Sequence, residues 1–271
     1  MSFLPGPGAA TVMRMRLAGL LCLGLLCGVA ATRAEEIPHD PPQAKAIYTR
    51  NAPAIDASAN QDAWKDAPPL LFPRDAKTPG QKPVCDVRFL WNEAGVYVAF
   101  HTIDTTPSYG HFKRGDPLYQ EDSFEIFVDQ AGDHRQYYEI QADPAGQTYC
   151  RNYLLTAPPR LTPEQRLTPE FCDTELWRYD MPLPGDFRIA SKLDPQTHEW
   201  KLEMFLPASF VNRRHGGAMT SCTWRINLVR HDWDLPYNAP GRQVKFMYWA
   251  PVLPGHPHLS PEQMGFLELV K

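Results

Sequence analysis

The most regular alternation of apolar and polar positions in the chain lies in two neighbouring segments, 123–129 and 136–141. A short turn containing Asp and Gly separates them. Alternation at period two on both sides of a turn predicts a β-hairpin. One position stands out, because Glu125 lies in mid-strand between Phe124 and Ile126. A carboxylate in apolar surroundings loses its hydration unless it gains a partner or a ligand, so Glu125 is the first candidate functional residue.

The rest of the chain predicts more short strands of the same kind. A loop is predicted over 68–83, a Pro-broken insertion over 156–169, and one short helix over 207–214, which opens with a proline suited to a first helical turn. Many short strands and at most one short helix predict an all-β fold, an antiparallel β-sandwich. The predicted strands cover 84–91, 95–103, 146–155, 187–193, 199–206, 221–231, 244–250 and 265–270.

Composition fits this fold and excludes one class of partner. The chain has 271 residues, and 28 Pro suit many loops between short strands while disfavouring long helices. Seven Trp indicate a core rich in large side chains. The formal charge is −4, and no Lys/Arg cluster is present that would hold phosphates. We therefore expect no nucleic-acid partner.

The N-terminus has the pattern of a targeting segment. Arg14 and Arg16 precede an apolar run over 17–31, and a small-x-small cleavage pattern follows before Glu35. The run is too short for a comfortable membrane span, so no span is expected in the mature chain. We predict an extension and signal peptide over 1–34, a flexible linker over 35–45, one domain over 46–271, and export to the periplasm or the extracellular space.

Export changes the interpretation of the cysteines, because an even number in an oxidising compartment suggests disulfides. Four would remain in the mature chain: Cys85, Cys150, Cys172 and Cys222. Cys85 and Cys222 both lie on strand faces that the pattern directs to the core, so a Cys85–Cys222 bond is plausible, with Cys150 and Cys172 bracketing the Pro-rich insertion. Four buried free thiols are the alternative. The spacing does not suggest a zinc site.

Several short motifs follow one another along the chain, namely IDASANQDAW, VRFLWNEAGVYVAF, LYQEDSFEIFVD, YYEIQADPAG, WKLEMFLPASF, WRINLVR, YWAPV and HPHLSPEQMGFLEL. The most specific of them contains D-S-x-E-I-F-V-D over 122–129. Their order resembles the family 9 carbohydrate-binding modules and their DOMON-like relatives, and the likeness extends over nearly the whole of 46–271. The resemblance implies a β-sandwich that binds sugar, typically at a chain end, between two aromatic rings.

The resemblance also assigns roles to four positions. Tyr119 falls where these modules have a first sandwiching Trp, and His258 falls where they have the second. Glu125 matches the mid-strand Glu that hydrogen-bonds sugar hydroxyls. Glu139 falls near a position that is Arg in the family, so this chain lacks that cationic donor.

Our own reading of the residues adds three candidates to this site. Gln141 and Arg151 lie on the strands that follow Glu125 and are potential hydrogen-bond donors. Trp233 follows a predicted strand among polar loop residues. Sugar sites combine aromatic surface with a few well-placed polar groups, which this set provides. The alternatives are structural: Tyr119 caps the sandwich edge, Glu125 pairs with Arg225 in a buried ion pair, and His258 only hydrogen-bonds within a loop.

These observations predict a non-catalytic protein that binds an oligo- or polysaccharide, with a role in carbohydrate catabolism. Enzymatic activity is a minor alternative and would be hydrolysis of O-glycosyl bonds by paired carboxylates such as Glu125 and Glu139. The protein would otherwise act as an accessory to a glycoside hydrolase.

Two cofactor hypotheses accompany this interpretation. A structural calcium ion is expected at the turn formed by Asp129 and Asp133, with Asx-turn chemistry as the alternative. The DOMON relatives suggest haem, bound by a Met and a His. Its candidate ligands are Met204, Met219, Met247 and Met264 with His101, His231 or His258, although both residue types are also ordinary in cores and loops.

Overall fold

The structure, a computed structural model, describes residues 40–58, 61–72, 84–156, 176–212, 216–250, 252 and 257–271. These residues form 13 strands, one short α-helix and three 3-10 turns. The strands are β1 Gln43–Tyr48, β2 Leu70–Phe72, β3 Cys85–Asn92, β4 Gly95–Ile103, β5 Ser123–Asp129, β6 Gln136–Ala142, β7 Thr148–Leu155, β8 Leu176–Asp180, β9 Arg188–Leu193, β10 Glu199–Pro207, β11 Thr223–Trp233, β12 Val244–Tyr248 and β13 Gly265–Val270.

The helical segments are few and short. The α-helix, α1, covers Ala208–Val211, and 3-10 turns cover Gln61–Trp64, Pro257–Leu259 and Pro261–Gln263. Within the described part of the chain, no helix has the length and apolar character needed to cross a membrane.

The strands form one hydrogen-bonded sheet that curls into a β-sandwich, which confirms the predicted fold class. Along the sheet the order is β8-β7-β6-β5-β11-β13-β1-β3-β4-β10-β9, with β12 added to β11 and β2 to β3. Most neighbours are antiparallel, but β1 runs parallel to both β13 and β3. The two halves of the sheet face each other across the core. The stacked rings of Phe100 on β4 and Phe124 on β5, with centroids 4.5 Å apart, mark this contact.

The core is built from large side chains, as the Trp content predicted. Five Trp are essentially fully buried, namely Trp64, Trp91, Trp200, Trp224 and Trp249. Most of the core is one cluster between the layers, to which β3, β4, β5, β10 and β11 contribute alternate residues. A close approach in this core requires Gly265, because a Cβ there would lie 2.5 Å from the carbonyl oxygen of Pro42.

Several boundaries differ from the predictions. The predicted loop over 68–83 is wrong at its start, because Leu70–Phe72 pairs with β3. Strand β8 was not predicted, since Leu176–Asp180 carries exposed Trp and Tyr side chains that obscure the alternation. Strand β1 begins at Gln43, inside the predicted linker. The predicted helix shortens to Ala208–Val211.

The predicted Cys85–Cys222 disulfide is wrong, because both cysteines are free thiols. Cys85 is buried with its Sγ 3.8 Å from the hydroxyl oxygen of Thr102, whereas Cys222 is exposed beside Leu269. Strands β1 and β13 lie between the two positions. Their register also places Cys222 near the Leu90 end of β3, about 16 Å along the strand from Cys85. The predicted Cys150–Cys172 bond lies outside the described residues, because Cys172 is not among them.

Candidate functional site

Strands β12, β11, β5, β6 and β7 form one layer of the sandwich. One face of this layer packs on the main core, and we call the opposite face the outer face. On β5, Phe124 and Ile126 belong to the main core, whereas Glu125 and Phe127 lie on the outer face. The strand register aligns Glu125 with Gln141 on β6 and Val229 on β11. The same row continues to the outermost strands. Its members, from β12 to β7, are Tyr248, Val229, Glu125, Gln141 and Tyr149.

Glu125 is buried without the partners that a buried carboxylate normally has. It is 2% exposed, and its Oε1 has no hydrogen-bond partner. Oε1 lies 3.3 Å from Nδ1 of His231, but the two groups are not aligned for a hydrogen bond. Burial, together with the charge of Glu139, raises the pKa of Glu125 well above its usual range. Burial also lowers the pKa of His231 to about 3, so this imidazole is neutral at pH 7 and forms no ion pair.

Glu139 is the second buried carboxylate of the outer face, and its oxygens are occupied. Oε1 accepts a hydrogen bond from Nε2 of Gln141, and Oε2 accepts one from the hydroxyl of Tyr153. Burial raises the pKa of Glu139, while these two hydrogen bonds oppose the rise. Gln141 is held in turn by the backbone N–H of Leu118, which donates to Oε1 of Gln141 at 2.6 Å. The two carboxylates therefore differ, since Glu139 is satisfied and Glu125 is not.

Exposed aromatic rings lie beside Glu125. Tyr119 is 47% exposed and Phe246 is 50% exposed. Both contact His231 edge to face, with ring centroids 6.4 and 4.9 Å from that of the imidazole. We call Tyr119 and Phe246 the aromatic pair. Because His231 also approaches Glu125, the aromatic pair lies at the same end of the outer face as the unpaired carboxylate.

The opposite side of the face is built around Tyr153. Its hydroxyl bonds to Glu139, its ring stacks on that of Tyr137 at 5.1 Å, and His258 stacks on it at 5.7 Å. The hydroxyl of Tyr137 donates to the carbonyl oxygen of His258, which fixes the 3-10 turn Pro257–Leu259. Tyr119 contacts His231 beside Glu125, and His258 contacts Tyr153 beside Glu139. Gln141, which lies opposite Glu125 and donates to Glu139, connects the two sides.

Buried Asp122 holds the loop that carries Tyr119. Its carboxylate accepts the backbone N–H groups of Ser108 at 2.5 Å and Trp233 at 2.7 Å. The indole N–H of Trp233 donates to the carbonyl oxygen of Tyr119 at 3.1 Å, and the guanidinium of Arg242 covers its ring at 3.8 Å. Trp233 therefore lies next to the site, and its observed contacts fix the backbone of Tyr119.

Comparison with known proteins agrees with this geometry. Residues 55–153 match the family model described as carbohydrate family 9 binding domain-like. Among solved structures, a Bacteroides uniformis ATCC 8492 protein assigned as carbohydrate-binding aligns with 14% identity and a TM-score of 0.60, over 85% of this chain and 100% of that one. The resemblance to family 9 carbohydrate-binding modules is confirmed.

Two further structures are complexes of a family 9 module from Caldicellulosiruptor kristjanssonii. The glucose complex aligns with a TM-score of 0.54 over 84% of this chain and 96% of that one, and the cellotriose complex with 0.53 over 84% and 93%, both at 14% identity. At this identity the likeness establishes the family 9-like fold. No curated protein matches the chain.

In this family 9-like fold, the remaining predicted donor is directed away from the carboxylates. Arg151 lies opposite Glu139 on β7, but its Nε donates to Asp180 of β8 at 2.8 Å. The alternative role of Glu125, an ion pair with Arg225, is not observed, because Arg225 donates to the carbonyl oxygens of Glu262 and Met264.

Sequence reasoning did not assign four outer-face side chains to the sugar site: Tyr153, Phe246, Tyr248, and His231, which it named only as a candidate haem ligand. Their own alternation was a usable signal, since His231 follows core Leu228 at odd spacing and Phe246 precedes core Met247. What the sequence lacked was the pairing of β11 with both β5 and β12, which brings these residues to Glu125.

At the predicted calcium turn, the carboxylates serve the backbone. Asp129 accepts the N–H groups of Gly132 and His134, both at 2.8 Å, and Asp133 accepts that of Arg135 at 2.9 Å. Such bonds are the Asx-turn chemistry named as the alternative. Calcium at Asp129 and Asp133 remains a prediction.

A separate acidic group contains Asp104, Asp122 and Asp232, whose carboxylates lie within 4.8 Å of one another. Buried Arg230 donates to Asp104 and Asp232, both at 2.9 Å, and supplies the balancing charge.

The candidate haem ligands are distributed between two places. Met204, Met219 and Met247 lie in the main core, on the side of the sheet away from the outer face. Met264 packs in the outer-face cluster with Leu259. Three of the four thioethers are therefore separated by the sheet from His231 and His258, which does not fit axial ligation by a Met and a His. Haem binding remains an untested alternative.

Proposed function

We propose that this protein is exported and binds carbohydrate without catalysing a reaction, taking a glycan or glycan end on the outer face. The observation that carries the proposal is the unpartnered Oε1 of Glu125, buried beside the aromatic pair. Pyranose rings place C–H groups against aromatic faces, while their hydroxyls donate to planar acceptors. Tyr119 and Phe246 supply the first kind of contact, and Glu125 supplies the second.

The comparisons support the same class of ligand, because the similar structures from Caldicellulosiruptor kristjanssonii hold glucose and cellotriose. The site of this chain differs in detail. It offers Tyr119, Phe246 and His258 as rings, and its polar floor is dominated by two carboxylates. A role in carbohydrate catabolism follows if the captured glycan is supplied to a glycoside hydrolase.

The decisive test is a glycan array on the purified chain, followed by titration calorimetry with each positive sugar. We expect Tyr119→Ala to weaken binding about tenfold or more, because one stacking ring is lost. Tyr179→Ala is the matched control, since Tyr179 is 51% exposed but lies on the other face of the sheet, and its affinity should equal that of the wild type. The absence of sugar binding by the folded protein, or equal loss in both variants, would contradict the proposal.

The non-catalytic part has its own test. Hydrolysis of a glycosidic bond needs two carboxyl groups on either side of that bond, whereas Glu139 is already held by Gln141 and Tyr153. We therefore expect no release of reducing sugar from oligosaccharides that bind. Turnover that Glu125→Gln abolishes would instead make the protein a glycosidase. Export is tested by fractionation of expressing cells and by sequencing the N-terminus of the recovered protein, which should begin near Glu35.

A further inference from the structure

The hydrogen-bonding groups around Glu125 are unevenly divided between donors and acceptors. The side-chain amide of Gln141 and the hydroxyl of Tyr153, which could donate to a ligand, both donate to Glu139. Glu125 retains a buried acceptor, Oε1, that receives nothing. In its ionised form a carboxylate only accepts hydrogen bonds, so a ligand that keeps Glu125 ionised must supply a donor to Oε1.

The next strand shows the same division. The hydroxyl of Tyr149 and the Nε of Arg151 both donate to Asp180, and Arg151 also lies over the ring of Tyr149 at 5.1 Å. These donors are therefore engaged by the protein itself. A ligand that mainly accepts hydrogen bonds would find few free donors here, whereas a ligand that mainly donates would satisfy Glu125.

The charges of the two buried glutamates also favour a ligand that donates hydrogen bonds. Glu125 and Glu139 lie on neighbouring strands, and among the described residues neither forms an ion pair with Lys or Arg. His231, which approaches Glu125, is neutral at pH 7 because burial lowers its pKa to about 3. Arg151, the cation opposite Glu139, donates to Asp180 rather than to either glutamate. Two carboxyl groups that share a buried site favour a positively charged guest.

We propose that the preferred ligand is a sugar with a free amino group, bound as its ammonium ion, such as glucosamine at a glycan end. This proposal rests on the proposed function and specifies its ligand. An ammonium group carries three donors and one positive charge, which matches the empty acceptor of Glu125 and favours the ionised form of both carboxyl groups. The aromatic pair, Tyr119 and Phe246, would contact the ring and attract the cation through its π faces.

A metal ion fits these groups less well than an ammonium ion. Calcium takes six to eight oxygen ligands, yet both oxygens of Glu139 already accept hydrogen bonds. An N-acetylated sugar also fits less well, because acetylation removes the charge and adds a carbonyl acceptor where the site lacks donors. The order of affinity should therefore be free amine first, with the neutral and acetylated sugars weaker.

Binding should also release protons. Burial and Glu139 raise the pKa of Glu125, whereas a bound cation favours its ionised form, so binding should be coupled to loss of a proton from this carboxyl group. The other titratable or charged groups around the pair are His231 on β11, Tyr248 on β12, Tyr149, Arg151 and Tyr153 on β7, and Asp180 on β8. Burial raises the pKa of all three tyrosines, which stay neutral and do not compete. Arg151 and Asp180 are bound to each other.

The test is titration calorimetry of the full chain at pH 6.5 with glucosamine, N-acetylglucosamine and glucose. We expect glucosamine to bind at least tenfold more tightly than the other two, with a heat that changes with the ionisation enthalpy of the buffer. Glu125→Gln and Glu139→Gln should each reduce this preference. Glu268→Gln, an exposed carboxylate on β13, should leave it unchanged.

The outcomes separate this inference from the proposed function. Equal affinity for glucosamine and glucose would overturn the inference and leave carbohydrate binding standing. No binding of any sugar by the folded protein would overturn both. If methylammonium chloride competes as strongly as glucosamine, the site binds cations rather than amino sugars, and the inference also fails.

Discussion

Two glutamates, Glu203 and Glu125, lie buried in the middle of strands but have opposite surroundings. Glu203 on β10 is 5% exposed and accepts three hydrogen bonds, from the backbone N–H groups of Asp56 and Ala57 and from the indole of Trp64, at 2.9 to 3.2 Å. Glu125 on β5 is more deeply buried and receives none at Oε1. Burial alone therefore does not identify a binding residue. The informative difference is whether the protein itself completes the hydrogen bonds.

The largest expected effect is on stability at Glu203. Glu203→Gln replaces one acceptor oxygen by an NH2 group that faces existing donors, so we expect the free energy of unfolding to fall by about 1–3 kcal/mol. Urea denaturation measures this loss. Sugar affinity should not change, because Glu203 lies on the opposite half of the sheet. If the variant is as stable as the wild type, the hydrogen bonds of Glu203 do not stabilise the fold, which would contradict this prediction.

The same substitution at Glu125 should have a different result. Glu125→Gln removes a buried carboxyl group that lacks a donor, so we expect unfolding free energy at pH 7 to stay equal or rise by about 1 kcal/mol. Sugar affinity should fall about 10- to 100-fold, because a hydrogen bond to a charged group is lost. Destabilisation as large as that of Glu203→Gln would mean that Glu125 is structural too.

A smaller effect is expected in the pH dependence of stability. Because the pKa of Glu125 is raised in the folded protein, the native state binds more protons than the unfolded chain above the unfolded value near 4.3. The stabilisation that Glu125 contributes is therefore fully present below the pKa of the unfolded chain, and it is lost as pH rises through the pKa of the native state. Asp122 acts in the same direction, since burial and Asp104 raise its pKa to about 8.

Thermal unfolding between pH 5 and pH 8 measures this dependence. The buried imidazole of His231 acts in the opposite direction between pH 3 and 6.5, because its pKa is lowered and stability from it rises with pH. For this reason the difference between wild type and Glu125→Gln is the informative quantity. The melting temperature of the variant should decline less as pH increases, and parallel curves would show that Glu125 does not titrate differently on folding.

Much of the fold could be predicted because its signals are local. Alternation placed Ser123–Asp129, Gly95–Ile103 and Gly265–Val270 at their observed bounds. Strand β8 was missed because Trp177 and Tyr179 are exposed, at 65% and 51%, and make its outward side look apolar. Residues 70–72 were missed because three residues are too few to show a period.

The site could be predicted only in part. Glu125 is visible in the sequence as a charge in an apolar strand, and Tyr119 through its place in a motif. Phe246 could not be assigned, since it reaches the site only through the pairing of β11 with β12. The predicted Cys85–Cys222 bond failed for a related reason. Whether a cysteine faces the core depends on its own strand, whereas the distance between two cysteines depends on which strands lie between them.

The parallel pairing of β1 with β13 has a consequence for the order of folding. Strand β13 lies between β1 and β11, so among the described strands the β3-β4-β10 half of the sheet connects to the hairpin half through a strand that is synthesised after both halves. Gln43 pairs with Phe266, more than 200 positions away along the chain. Forming such a contact closes a long loop, which costs chain entropy and slows folding. Before β13 has been made, β1 and β11 each present an unpaired edge. We therefore expect folding of this sheet to complete slowly and only after synthesis of β13.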